Sequence, residues 1–95
     1  MSAYVIAMID VSDQENYEKY AAAAPAATAK FGGKAIARGA NAATLEGDFS
    51  PGRIVVLEFP TVEDAKAWYD SPEYQEARNF RLGAADFQML VVDGI

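Results

Sequence analysis

The chain contains no cysteine and no histidine among its 95 residues. Without cysteine there is no disulfide, no thiolate nucleophile and no thiolate-bound zinc. Without histidine there is neither a histidine-ligated haem nor a histidine general base. Magnesium and calcium use oxygen ligands instead, but no group of carboxylates in the sequence has the spacing of such a site. We therefore expect no metal and no other cofactor.

Basic residues and long apolar runs are also scarce. The chain has 8 basic against 14 acidic residues, a net charge of −6, and its Lys and Arg residues are scattered rather than clustered, which argues against nucleic acid as a partner. No apolar run approaches the roughly 20 residues that span a bilayer. The N-terminal "MSAYVIAMIDV" has no basic residue before its apolar run, so it is typical of a strand rather than a signal peptide. We expect a soluble, cytoplasmic protein with no membrane partner.

Apolar residues, in contrast, are abundant. They make up 52% of a chain whose length fits one domain over residues 1–95. A domain of this size buries only about 60–65% of the surface that its unfolded chain exposes. We therefore expect part of the apolar surface to be covered by a partner.

Four longer segments and one short segment have the composition of strands. Residues 4–9 and 53–59 are apolar at both alternating positions, which is typical of strands covered on both faces. Residues 34–38 and 87–92 predict two further strands, and 44–46 a short additional one in the long connection that follows residue 38.

Two helical regions separate these strands. The sequence from Ser12 to Glu15 matches a capping box and predicts the start of the first helix at Ser12. Pro25 is expected to kink or divide this helix, and the two glycines at 32 and 33 to end it. The second region, 61–82, is interrupted by Ser71-Pro72, a preferred N-cap followed by proline at the first helical position, which predicts two segments meeting at a corner.

The resulting order, β-α-β-β-α-β, predicts an α+β ferredoxin-like sandwich, with an antiparallel sheet and the helices on one of its faces. An exposed sheet face normally shows polar side chains, but these strands have no polar alternation. We therefore expect a second copy of the sheet to cover that face, giving a homodimer.

A candidate ligand site surrounds the predicted corner. Tyr74, Arg78 and Arg81 share one helix face, close in sequence to Trp68 and Tyr69. Arginine forks match carboxylates, so this group predicts one wall of a pocket for a small acid. A competing interpretation makes Trp68 and Tyr74 core aromatics and lets both arginines extend to solvent.

Other polar residues could complete the pocket. Arg38, at the end of an inner strand, is predicted to form the opposite wall and to pair with Glu46 or Glu58; alternatively it reaches water. Glu58 could instead be a charge on an edge strand that blocks aggregation. The N-terminus of the helix that Ser71 begins could also hold an anion.

Several stretches resemble a known family: "FGGKAIARGA", "LEGDF" followed by "RIVVLEFP", "AKAWYDSPEYQEAR" and "MLVVDG". Together they are similar to the small bacterial family called domain of unknown function 1330, in the dimeric α/β-barrel superfamily. The resemblance covers nearly the whole chain and implies a ferredoxin-like protomer that dimerises sheet to sheet. Where the family usually has a second glycine, this chain has Ala40. The family itself implies no activity.

Relatives in that superfamily include cofactor-free monooxygenases, muconolactone isomerases, haem-degrading enzymes and ligand-sensing modules, with sites between sheet and helices. The haem branch is excluded because its iron ligand is histidine. Two hypotheses remain: a small-molecule-binding module, or a cofactor-independent monooxygenase or isomerase acting on a small organic acid. In such an enzyme, Arg38 and Arg78 would orient the carboxylate of the substrate. Tyr69 or Tyr74 would donate a proton, and Glu46 or Glu58 would act as the base.

Overall fold

The computed structural model describes residues 2–95. Its elements are β1 (Ala3–Val11), α1 (Gln14–Lys30), β2 (Lys34–Gly39), β3 (Arg53–Phe59), α2 (Val62–Asp70), α3 (Pro72–Asn79) and β4 (Ala85–Asp93). The strands form one sheet in the order β2-β3-β1-β4, and every neighbouring pair is antiparallel. This is the predicted α+β ferredoxin-like fold, with the second helical region split into α2 and α3.

The central strand β1 shows why the sheet has an inner and an outer face. Val5, Ala7 and Ile9 are at most 3% exposed and belong to the core, whereas Ile6 and Met8 on the opposite face are only half-buried. The alternation follows from the two-residue period of a strand. The predicted assignment of these residues to two faces is confirmed.

The helices cover the inner face with a cluster of aromatic side chains. Trp68 on α2 and Tyr74 on α3 are 1% and 0% exposed, and their ring centroids lie 4.3 Å apart. Phe59 of β3 lies 5.1 Å from the Trp68 ring. Trp68 and Tyr74 are therefore core aromatics, as the competing interpretation of the sequence had it.

The corner between α2 and α3 is formed as predicted. The Ser71 hydroxyl accepts a hydrogen bond from the Tyr74 backbone N–H at 3.1 Å and donates one to the Trp68 carbonyl at 2.7 Å. Pro72 occupies the first turn of α3, where a missing N–H costs nothing. One serine thus ends one helix and caps the next, which places Trp68 and Tyr74 against each other.

Two local predictions were wrong, and one of the two alternatives for Pro25 is excluded. The N-cap of α1 is Asp13 rather than Ser12, because the Asp13 carboxylate accepts from the Asn16 N–H while the Ser12 hydroxyl donates to the Ala84 carbonyl. Pro25 lies inside one continuous helix, so it does not divide α1. The carbonyl that it leaves without a partner, four residues earlier, belongs to the exposed Ala21. Residues 44–46 form no strand, since the exposed segment 41–50 pairs with no neighbour.

The outer face of the sheet is largely apolar. Ile6 of β1 pairs with Val56 of β3 and Leu90 of β4, and Leu90 is 51% exposed. Val92, beside it on β4, is 48% exposed. An apolar surface of this extent is unusual on a face that meets water. Within residues 2–95, no helix combines the length and the hydropathy that crossing a membrane requires.

Candidate ligand-binding site

A cavity of about 510 Å³ opens between α2, the end of α3 and β4, and we call it the arginine cavity. Strand residues of β1 and β4 form its floor, and helix residues form its walls. Its lining consists of Val5, Ala65, Lys66, Trp68, Tyr69, Asp70, Arg78, Arg81, Phe87, Met89, Leu90 and Val91. The volume is within the range of small-molecule sites.

Three residues that line the arginine cavity carry buried hydrogen-bond donors that lack acceptors. Trp68 Nε1, Arg78 Nε and Arg81 Nε are buried, and none of them has a hydrogen-bond partner within residues 2–95. They are also the full set of such buried side-chain atoms found there. Buried polar groups are normally paired, so three unpaired donors around one cavity call for an explanation. All three N–H groups suit the same kind of ligand, one that carries acceptor oxygens.

Arg81 has the most unusual environment of the three. Its side chain is 5% exposed, and the centre of its guanidinium lies 3.7 Å from the Phe87 ring centroid and 5.4 Å from that of Tyr20. The ion pairs in the described part of the chain join Lys30 to Glu73 and Lys34 to Glu58, so neither involves Arg81. Removing a cation from water costs several kcal/mol unless an anion compensates. Aromatic rings supply only part of that compensation.

The position of Arg81 follows from the turn after α3. The Arg81 carbonyl accepts hydrogen bonds from the N–H groups of Ala84 and Ala85 at 2.9 and 3.2 Å. Gly83 closes this turn with φ at +80°, a conformation that residues with a side chain rarely adopt. The turn brings Arg81 inward and starts β4 at Ala85, so that Phe87 lies against the guanidinium.

Two buried phenols hold the inner side of Arg81. Arg81 Nη2 donates to the Tyr74 hydroxyl at 3.3 Å, and that hydroxyl lies 2.9 Å from the hydroxyl of Tyr20. Burial is the main reason that the pKa of the Tyr20 phenol is raised well above its usual value of 10.0, with a further increase from Tyr74. A neutral phenol is an acceptor for Arg81 but supplies no negative charge.

Arg78 and its neighbours complete the polar wall. Arg78 lies in the last turn of α3, is half-buried, and lines the cavity together with the half-buried Tyr69. Lys66 and Asp70, both exposed residues of α2, also line it. Three cationic side chains and one carboxylate thus surround the cavity, which favours an anionic ligand.

A second cavity of about 220 Å³ lies between α1 and the sheet, and we call it the α1 cavity. Most of its lining is apolar and comes from α1 and the inner face of β1, β3 and β4. Val5, Trp68, Phe87 and Met89 line both cavities. The two cavities therefore lie side by side and share these four side chains.

The predicted site residues are distributed unequally over the structure. Trp68, Tyr69 and Arg78 lie together in the arginine cavity. Tyr74 and Ser71 are buried and line neither cavity; the hydroxyl of Ser71 caps α3, and Tyr74 supports Arg81 from inside.

The strand candidates lie elsewhere. Arg38 is exposed and lines the α1 cavity rather than the arginine cavity, so it does not form a wall opposite Arg78. Glu46 is an exposed loop residue outside both cavities, and neither it nor Glu58 forms an ion pair with Arg38 in the described chain.

The interpretation of Glu58 as an edge-strand charge was wrong. Strand β3 lies between β2 and β1, so Glu58 is in the sheet interior. Its side chain lies on the outer face, within 3.5 Å of Lys34 Nζ and 3.4 Å of the Tyr4 hydroxyl. The hydroxyl of Ser2 lowers the pKa of the Glu58 carboxyl most, helped by Lys34. Glu58 is thus an ionised carboxylate on the face opposite both cavities.

Residues 2–95 contain no group of three or more Asp, Glu, His or Cys side chains placed to hold a metal ion. The chemistry that the arginine cavity offers comes from its cations, its indole N–H and its aromatic walls. Such a set of groups can bind and orient an anion and, through Tyr69 and Asp70, exchange a proton with it.

Solved structures with the same fold extend this description. The protein of unknown function RPA0582 from Rhodopseudomonas palustris is similar with a TM-score of 0.80 at 19% identity, covering 99% of this chain and 82% of its own. SnoaB, a cofactor-independent oxygenase from Streptomyces nogalater, gives a TM-score of 0.70 at 9% identity over 99% and 93%. A dimeric ferredoxin-like protein of unknown function from Jannaschia sp. CCS1 gives 0.69 at 10% identity over 99% and 100%. At these identities the similarity shows the fold.

No curated protein matches the sequence of this chain. A family does: residues 2–95 match the family described as Domain of unknown function (DUF1330), the family that the sequence motifs resemble. The match extends over the whole described fold, including both cavities. The chain belongs to the DUF1330 family.

Proposed function

We propose that this protein binds a small organic acid in the arginine cavity. The observation that carries the proposal is the group of three buried donors without acceptors, on Trp68, Arg78 and Arg81. A carboxylate has two acceptor oxygens and the charge that Arg81 lacks nearby. Its binding would satisfy the donors and compensate the buried cation at once.

The expected affinity rests on these charge-assisted contacts. A hydrogen bond to a charged group contributes about 1.5–3 kcal/mol, since both partners are withdrawn from water and held in place. Because the Arg81 side chain is already buried by Phe87 and Tyr20, the ligand does not have to desolvate it again. Pre-organisation of this kind favours binding.

The remaining lining favours an acid with an aromatic or other apolar part. Trp68, Tyr69 and Phe87 present rings, and Val5 and Met89 present apolar side chains. Aromatic rings of ligand and protein attract each other beyond the effect of buried area alone. We therefore expect aromatic acids to bind more tightly than acetate.

The same proposal includes a homodimer joined through the outer sheet faces. The apolar side chains of Ile6, Val56 and Leu90 support it, as does the similarity to the Jannaschia protein, which is described as dimeric. Burying these faces removes apolar area from water, the main driving force of stable association.

A second candidate function is a cofactor-independent monooxygenase or isomerase acting on such an acid. It is favoured by Asp70 and Tyr69, a carboxylate and a phenol that line the cavity beside the arginines, and by the similarity to SnoaB. The two functions differ in one measurement. An enzyme converts a bound acid into a product in aerobic buffer, whereas a binding module returns it unchanged.

Trp68 is the chain's single tryptophan, so its fluorescence provides a direct binding assay. We expect saturable changes in its fluorescence with aromatic carboxylic acids, and loss of at least about tenfold in affinity in Arg81→Met and Arg78→Ala. Arg78→Lys should also bind more weakly because an ammonium does not reproduce the planar fork. Arg53→Met is the matched control: Arg53 also lies over an aromatic ring, that of Tyr17, but lines neither cavity. Equal binding by Arg81→Met and Arg53→Met would refute the proposal.

A further inference from the structure

The α1 cavity and the arginine cavity are separated by side chains that belong to both. The Phe87 ring is the clearest case, because it lines the α1 cavity and also lies 3.7 Å from the guanidinium of Arg81. A group packed on Phe87 in the α1 cavity is therefore about one ring away from the cation. Met89, another shared residue, has a flexible and unbranched side chain that adapts to irregular space.

Two of the polar side chains around the α1 cavity, Tyr20 and Thr28, are already engaged elsewhere. The Tyr20 hydroxyl is bonded to that of Tyr74, and the Thr28 hydroxyl donates to the Ala24 carbonyl at 3.1 Å. What these residues offer to the cavity is their apolar surface. Charged groups occur only at its exposed side, on Lys34 and Arg38, and Lys34 is paired with Glu58. The two cavities thus differ in character: Arg78 and Arg81, with their unpaired donors, line only the arginine cavity, whereas the α1 cavity is lined mainly by apolar surface.

We propose that the α1 cavity is the second compartment of a single site and receives the apolar body of the acid whose carboxylate binds Arg81. This inference rests on the proposed function and specifies its ligand class: an amphipathic monocarboxylic acid with one aromatic ring, or a branched chain of similar size, a short distance from the carboxylate. A dry cavity of about 150 Å³ is enough for benzene. The α1 cavity, at about 220 Å³, accommodates one ring with a short linker.

The hydrogen-bonded chain of Tyr20, Tyr74 and Arg81 joins the two compartments from behind. Tyr20 lines the α1 cavity and Arg81 the arginine cavity, while Tyr74 lies between them and lines neither. Because the same hydrogen-bonded side chains fix both a wall of the apolar compartment and the cation, the distance between them is set by the fold. This geometry selects acids by the length between carboxylate and ring.

The experiment compares two acids that share a carboxylate, acetate and 3-phenylpropanoate, by calorimetric titration of the full chain. Filling the α1 cavity with Ala24→Leu should lower the affinity for 3-phenylpropanoate by about tenfold or more, since a buried CH₂ contributes roughly fourfold in affinity. The affinity for acetate should stay within about twofold of the wild-type value. Ala21→Leu, at an exposed position lining the same cavity, is a second filling variant that does not disturb the core. Ala22→Leu is the matched control, on the same helix but outside both cavities.

The outcomes separate the two proposals. If 3-phenylpropanoate binds more tightly than acetate and both cavity-filling variants selectively weaken it, the two-compartment site is supported. If binding depends on Arg81 but Ala24→Leu and Ala21→Leu behave like Ala22→Leu, the second compartment is refuted while the acid site stands. If neither acid binds, or if Arg81→Met binds both as wild type does, the proposed function fails and the two-compartment site fails with it.

Discussion

Replacing Ser71 by alanine tests how the corner between α2 and α3 is held. The Ser71 hydroxyl accepts from the Tyr74 N–H and donates to the Trp68 carbonyl, and the residue is 5% exposed. In Ser71→Ala both side-chain bonds are lost. The Trp68 carbonyl keeps the backbone N–H of residue 71 as a donor at 3.2 Å, so it stays paired. The Tyr74 N–H has no such substitute and becomes an unpaired buried donor.

The magnitude follows from that unpaired donor. Loss of a helix N-cap costs about 0.5–2 kcal/mol, and an unsatisfied buried N–H costs about 1–3 kcal/mol. Both figures describe the same broken bond, so they are not added. We expect a decrease of about 2 kcal/mol in the free energy of unfolding of Ser71→Ala, at the upper end of the cap range. In a domain of this length, that decrease corresponds to a thermal unfolding midpoint lower by roughly 8–16 °C.

Thr61→Ala is the matched comparison for this experiment. Thr61 caps α2 in the same way, accepting from the Asp64 N–H at 3.0 Å, but it is exposed, so water replaces the lost hydroxyl. Its expected cost is about 0.5–1 kcal/mol. Urea unfolding followed by Trp68 fluorescence at one fixed protein concentration measures both variants. Equal costs for the two caps would show that the burial of Ser71 does not increase the cost of losing its hydroxyl.

Three further predictions concern the core, the buried phenol and the outer face. Gly33→Ala should cost about 1–3 kcal/mol by overpacking, because its new Cβ would lie 2.5 Å from the Phe59 ring; an unchanged unfolding midpoint would contradict this. The raised pKa of Tyr20 means that the unfolded chain loses the phenolic proton first, so wild-type stability should fall as the pH rises above about 10, and by less in Tyr20→Phe; parallel pH profiles would contradict it. Ile6→Asp should convert the proposed dimer to a monomer in light scattering, because it places a carboxylate in the apolar outer face; a wild-type monomer at micromolar concentration would refute the proposed dimer itself.

The features that the sequence predicted correctly depend on near neighbours in the chain. Alternation within residues 4–9 specified the two faces of β1, and Ser71-Pro72 specified a corner through cap and ring geometry alone. Trp68, Tyr69 and Arg78 were placed together because they lie within eleven positions of one another around that corner.

The errors came from pairing between distant segments. A bulge between Ala35 and Ala37 breaks the alternation of β2, which leaves Ile36 exposed at 49% while Arg38 pairs with Val55. Regular two-residue alternation would place Arg38 on the same face as Ile36, and the bulge removes that relation. Glu58 lies in the sheet interior because of the strand order, and the composition of β3 alone does not specify that order.

Arg81 shows a limit of the helix-face argument. The spacing placed it with Arg78, but α3 ends at Asn79 and Arg81 lies in the following turn. Its burial depends on Phe87 and on Tyr20, which come from β4 and α1. The one local signal was Gly83, whose positive φ closes the turn, and it indicates a chain reversal without indicating which side chain is buried.

In the proposed binding mode, three buried N–H groups receive the carboxylate of a ligand, and ¹⁵N NMR of the side chains observes these groups themselves. The chain has one tryptophan and four arginines, so the indole and Nε signals are few and assignable by substitution. On titration with 3-phenylpropanoate, we expect the signals of Trp68 Nε1, Arg78 Nε and Arg81 Nε to shift together and saturate, while that of Arg53 Nε stays in place. The binding mode is wrong if the three signals remain unchanged throughout the titration, or if the Arg53 Nε signal shifts as much as that of Arg81.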